Sequence, residues 1–197
     1  MKLRLRPLPA LLPLFALSLV LAVLVVGLGA CGGGGGGGGS TPTQPPPPPP
    51  TQPSVTFSPT AAAGAGSLAL AMGADSTTTK LVLEVRSGGV KDLYGVAFDL
   101  QYPANLLQFT QATQGPLLAN GTFQQTLTTT GNLVVGVTRL GITPGVSDPG
   151  VLARIEFKPL ASGTGLFSFS RNTALNSSGV PIAGVTWIAG SVTTVVP

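Results

Sequence analysis

From Ser54 onward, apolar and polar residues alternate with a period of two. In "LYGVAFDLQY", Tyr94, Val96, Phe98, Leu100 and Tyr102 point one way, and Gly95, Ala97, Asp99 and Gln101 the other. "KLVLEVR" sets Leu81, Leu83 and Val85 against Lys80, Glu84 and Arg86. "VLARIEFK" sets Val151, Ala153, Ile155 and Phe157 against Arg154, Glu156 and Lys158. Such alternation predicts strands with one face in a core and one in water. Further strands are expected over Val55–Ser58, Leu68–Met72, Leu107–Thr113, Thr122–Thr129, Leu133–Leu140, Leu166–Ser170 and Ile182–Val196, the last broken at Gly190. No segment here carries a helical period. Short strands punctuated by Gly, Pro, Asn and Ser predict an all-β sandwich or barrel.

The first 53 residues follow other rules. Lys2, Arg4 and Arg6 precede an apolar stretch from Pro7 to Ala30, which is the layout of an export signal. Leu28-Gly29-Ala30-Cys31 resembles the lipobox of bacterial lipoproteins, in which the cysteine takes a diacylglyceryl group and becomes the first residue after cleavage. An uncleaved anchor and an ordinary secretory signal are the plainer readings. Gly32 to Gly39 are expected to behave as a flexible coil, and the six prolines Pro45 to Pro50 as a stiff rod of roughly 19 Å. The expected organisation is a lipoprotein signal over 1–30, a lipidated Cys31 with a Gly/Pro-rich linker over 31–53, and a folded domain over 54–197. The lipobox resemblance implies membrane attachment through Cys31. Gly32 stands where inner-membrane lipoproteins favour Asp, which leans the expectation towards an outer membrane.

Charge and composition narrow the chemistry. The chain has formal charge +4, yet the domain from Ser54 holds seven bases against six acids, leaving +1. It lacks the basic face a nucleic-acid binder needs. There is no histidine, so neither a His-dependent triad nor the commonest metal ligand is available. One cysteine permits no internal disulfide and no Cys-based zinc site. Glu84 and Asp99 could be cast as a glycosidase pair, but they read as solvated strand-face charges. The expectation is a non-enzyme without cofactor or metal. Asn120-Gly121-Thr122 and Asn176-Ser177-Ser178 read as turns. "ITPGVSDPG", from Ile142 to Gly150, reads as a loop before a core strand or as a partner-binding loop.

"DLYGVAFDLQYPANLLQF", "NLVVGVTRLGITPGVSDPGVLARIEFKPLASG" and "GVPIAGVTWIAGSVTTV" follow one another in the chain. Together they resemble the bacterial cohesin domain. The match rests on a strand running into Tyr-Pro-x-Asn-Leu-Leu, on Gly150, Leu152, Ile155 and Phe157, and on a closing Gly-Ser-Val strand. The resemblance implies a jelly-roll β-sandwich of about nine strands, akin to a group of carbohydrate-binding modules. It also implies a flat sheet face that binds a dockerin, a small calcium-loaded module on another protein. Where the family often offers outward Asn and Asp, this chain has Gly95 and Ala97. Asp99 and Gln101 share that face, and Thr138, Arg139 and Leu140 are expected on the neighbouring strand. The functional expectation is a lipid-anchored envelope module that binds a protein partner. The alternative is a polysaccharide-binding module using Trp187, the single tryptophan.

Overall fold

The computed structural model describes residues 52–197, and the expected signal, Cys31 and most of the linker lie outside them. Eleven strands form two sheets. They are β1 (Ser54–Pro59), β2 (Ser67–Met72), β3 (Leu81–Gly88), β4 (Gly95–Gln101), β5 (Leu107–Gln114) and β6 (Gly121–Thr129). β7 (Asn132–Arg139), β8 (Pro149–Pro159), β9 (Gly163–Leu175), β10 (Thr186–Ile188) and β11 (Gly190–Val195) follow. One sheet runs β1-β11-β9-β4-β7-β6 and the other β10-β2-β3-β8-β5. All pairings are antiparallel except β10 with β2. A 3₁₀ turn, Pro116–Leu118, joins β5 to β6. The architecture is the all-β sandwich expected, with eleven strands in place of about nine.

The core lies where the inward positions of the two sheets meet. Leu68, Leu70, Leu81, Leu83, Ile155 and Phe157 from one sheet face Val96, Phe98, Leu100, Leu133, Val135 and Val137 from the other. Burying each such side chain contributes about 1.5–3 kcal/mol. Rings lock the layers together: Phe157 on β8 sits 5.0 Å from Tyr102 and 5.5 Å from Phe167 of the opposite sheet.

Two irregularities change which residues face inward. The β3–β8 pairing shifts between Val85 and Arg86, so Val85 opposes Ala153 and Arg86 opposes Val151. The extra residue, Leu152, joins the core cluster in place of Val151. In β9, pairing with β4 shifts between Ala97 and Asp99, and Arg171 there has a positive φ of 45°. Alternation fails at that bulge, which is why only Leu166–Ser170 of the thirteen residues in β9 is expected from the pattern.

Glu84 and Asp99 correct an expectation. Both are buried, at 5% exposure each. Glu84 is held by Arg86 at 2.8 Å and by Arg154 at 3.0 Å. Asp99 accepts hydrogen bonds from Asn132 and from Arg171, whose Nε lies 3.0 Å away. A carboxylate buried on a strand face requires such partners, because an unpaired buried charge is costly. Asp99 therefore lies beneath Arg171 rather than open on the face.

Candidate docking face

The outward side of β9-β4-β7-β6 is ordered in rows by strand register. The first row is Leu175, Gly95, Thr138 and Thr122; the second is Thr173, Ala97, Gly136 and Gln124. The third is Ser170, Asp99, Val134 and Thr126. Every side chain named is uncharged except Asp99, which the exposed Arg171 guanidinium neutralises. The hydrogen bonds from Arg171, and then from Asn132, hold the Asp99 carboxyl below its ordinary range.

Small residues shape the middle of this surface. Gly95, Ala97 and Gly136 floor a shallow open depression of about 340 Å³, walled by Thr122, Gln124, Thr138 and Leu175. A Cβ on Gly136 would meet nothing within 4 Å, so that glycine opens space above the sheet rather than serving a tight approach below it. Gly95 differs, since its Cβ would lie 2.9 Å from Thr138 Oγ1.

One end of the depression is bounded by loops. Tyr94 is half-buried and its hydroxyl donates to the Gly141 carbonyl, while Leu93 and Val146 exchange backbone hydrogen bonds. Asp92 adopts a positive φ of 53°. Its carboxylate accepts from Gly145 N at 3.0 Å and from the Ser177 hydroxyl at 2.9 Å. The Ser177 hydroxyl hydrogen bond is the main reason the Asp92 carboxyl sits below its usual range. These contacts tie the segment after β7 to that after β9. Leu140 and Ile142 are left exposed on this segment, Ile142 fully so.

The expected face residues divide accordingly. Gly95, Ala97, Gln101 and Thr138 share the outer surface through register with one another. Asp99 is on it but covered. Arg139 alternates to the other side of β7 from Thr138, as a period of two requires, so the expectation that both share the face is corrected. Leu140 lies just past the strand. Gly136, Val134, Thr122, Gln124, Leu175 and Arg171 were not singled out by the sequence reading. Gly136 was legible: a glycine at an outward mid-strand position marks a bulge or a close approach of another group.

The opposite sheet differs in kind. Its outer side carries ion pairs between Lys80 and Glu156, Arg86 and Glu84, and Arg154 with both Asp75 and Glu84. Trp187 does not form a platform there. It is half-buried, 5.1 Å from the Phe169 ring and 5.8 Å from Phe98. No group of three or more Asp, Glu, His or Cys among the described residues is placed to hold a metal ion.

The two sheets thus differ outside: one carries a lattice of ion pairs, the other an open depression among mostly uncharged side chains. The Cohesin domain family model matches residues 73–194, and the chain belongs to that family of protein-binding modules. Solved structures agree in fold. A non-cellulosomal cohesin from the archaeon Archaeoglobus fulgidus is 18% identical with a TM-score of 0.52, over 73% of this chain and 91% of that one. The second type II cohesin module of the adaptor ScaA scaffoldin of Acetivibrio cellulolyticus is 17% identical with a TM-score of 0.57, over 66% and 91%. The sixth cohesin of scaffoldin B from the same organism, solved in complex with a dockerin, is 20% identical with a TM-score of 0.52, over 62% and 95%. No curated protein matches the chain.

Proposed function

We propose that this chain is a lipid-anchored cell-envelope cohesin module that captures a dockerin-like protein on the outward face of β9-β4-β7-β6. The observation that carries the reading is the separation of charge between the two sheets. A face latticed with ion pairs is costly to strip of water. A face of Gly, Ala, Thr, Ser, Gln, Val and Leu with the single ion pair Arg171–Asp99 is less so, and its depression accepts a protruding group. The membership in the cohesin family supports the choice of partner class, as does the scaffoldin B relative solved with its dockerin.

With Gly95 and Ala97 in place of polar side chains, recognition depends on shape and on uncharged hydrogen bonding from Thr122, Gln124 and Thr138. Four strands spaced about 4.8 Å and about 24 Å long present roughly 450 Å², short of the ~800 Å² per partner of a stable complex. The exposed Leu140 and Ile142 at one rim extend the contact and supply its apolar anchors.

Calorimetric titration of the purified chain with a calcium-loaded dockerin module tests the face. Gly136→Arg fills the depression from a position with open space around it, so binding falls at least ~100-fold while thermal stability holds. Unchanged affinity would refute the face. Retention on insoluble polysaccharide, lost on Trp187→Ala, would move the function to carbohydrate. The anchor is tested separately, by incorporation of labelled palmitate that disappears in Cys31→Ser.

A further inference from the structure

The sandwich has four edge strands, and three are blunted against pairing with another chain. β1 is bracketed by Pro53 and ends in Pro59, neither of which has an N–H to donate. β5 is broken by a register shift between Phe109 and Gln111, where the Thr110 hydroxyl turns back onto the Glu156 carbonyl at 2.9 Å. β10 is only three residues long. β6 is longer and less protected: its one register shift against β7, between Leu127 and Thr129, falls at its C-terminal end. It runs for nine residues, GTFQQTLTT, with no charge and no proline. It pairs regularly with β7 from Gly121 to Leu127, and no strand among the described residues lies on its other side. Its residues from Gln124 to Thr129 are exposed whichever way they point, so the five-stranded sheet does not cover this end. Leu127, opposite the buried Leu133, is left 48% exposed. Edge strands of this kind are templates for added strands.

We infer that β6 pairs antiparallel with β6 of a second copy of this chain, about a two-fold axis through Gln125, joining the two six-stranded sheets into one. The strand is complementary to itself. That register sets Gln125 opposite Gln125, Gln124 opposite Thr126, and Phe123 opposite Leu127 on the inward side. The half-buried Phe123 of one copy thus covers the uncovered Leu127 of the other, and apolar cross-strand neighbours of this kind favour pairing. No charge on either strand opposes its like. A nine-residue edge is about 30 Å long and a sheet with its side chains roughly 15 Å thick, so some 900 Å² is buried in total. That falls in the size class of weak, reversible association. The inference concerns the strand's edge and stands independently of the docking face.

Position-specific cross-linking tests it on the full chain in mild detergent with micelles in excess, in a Cys31→Ser background so that only the introduced thiol is present. Directly opposed residues have Cβ atoms about 4.5–5.5 Å apart, so Gln125→Cys forms a covalent dimer under mild oxidation. Thr122→Cys lies six residues from its copy in this register, about 20 Å, and stays monomeric. Adding Leu127→Lys, an exposed change that leaves the circular dichroism spectrum intact, lowers the Gln125→Cys yield at least ~5-fold. Absence of dimer at Gln125→Cys overturns the inference, as does equal yield at the two positions. Capture of another protein's strand in place of a second copy gives the first of those results.

Discussion

Phe157 tests whether the two sheets are held by the ring cluster at their centre. It is fully buried on β8, with Phe109 of its own sheet 6.1 Å away and Tyr102 and Phe167 of the other sheet at 5.0 and 5.5 Å. Phe157→Ala removes the ring from all three at once. Truncation of a buried Phe costs about 3–5 kcal/mol, and each favourable ring pair adds about 0.5–1.5 kcal/mol beyond area alone. The upper part of that range, about 4–5 kcal/mol, is expected, since strands on both sides hold the cavity open. That is a large share of the 5–15 kcal/mol typical of whole domains and lowers Tm by about 8–20 °C. The assay is equilibrium urea unfolding followed by Trp187 fluorescence, as that sole tryptophan lies in the neighbouring Phe98–Phe169 cluster. Leu166→Ala, at a position 71% exposed, is the control and stays within about 0.5 kcal/mol of the parent. A cost for Phe157→Ala below about 2 kcal/mol, or one equal to the control, would refute the central role of the cluster.

Acid and backbone space provide further tests. The Arg171 hydrogen bond holds the folded-state pKa of Asp99 below its ordinary value, so its contribution is fully present above the unfolded pKa and is lost as pH falls through the folded one. Stability therefore declines below about pH 4. Asp99→Asn makes that decline shallower in urea midpoints, while Asp92, shifted the same way, retains part of it. Gly136→Ala is neutral or stabilising by about 0.5 kcal/mol, because its Cβ enters open space. Gly115→Ala is destabilising by about 1–3 kcal/mol, because its Cβ would overlap the Val151 backbone. The reverse order of those two midpoints would contradict the backbone packing.

Much of the fold was legible because period-two alternation survives wherever two strands pair without interruption. β7 alternates as far as Thr138 and β4 does apart from the covered Asp99, whereas β3, paired on both edges, also buries Val82 and Glu84 on its outer side. Legibility failed where a bulge resets the phase, at Leu152 and at Arg171. It failed also where a partner comes from far along the chain. Nothing local to "AFDLQ" reveals that Arg171, 72 residues away, covers Asp99. Nothing in "VLEVR" brings Arg154 onto Glu84. The break near Gly190 was expected, and the structure divides β10 from β11 at Ala189. Of the face itself, Gly95, Ala97 and Gln101 were readable from one strand's pleat. Gln124 and Leu175 required the strand order, which alternation does not encode, while Gly136 could be read only as an outward glycine and not as a neighbour of Ala97.

The pairing of β1 with β11 sets how the domain bears load. All six residues of β1 pair antiparallel with β11, from Ser54 opposite Val195 to Pro59 opposite Gly190. The chain before Ser54 is thus continuous with a strand flanked by the last strand of the fold. Traction along β1 from that side strains the six pairs together in shear, because ladder hydrogen bonds lie across the strand direction. The inward side chains Val55 and Phe57 resist the same slide, Phe57 with its ring 5.9 Å from that of Phe167. A partner held on β9-β4-β7-β6 would then pull against a sheet loaded broadside rather than a hairpin that unzips one rung at a time.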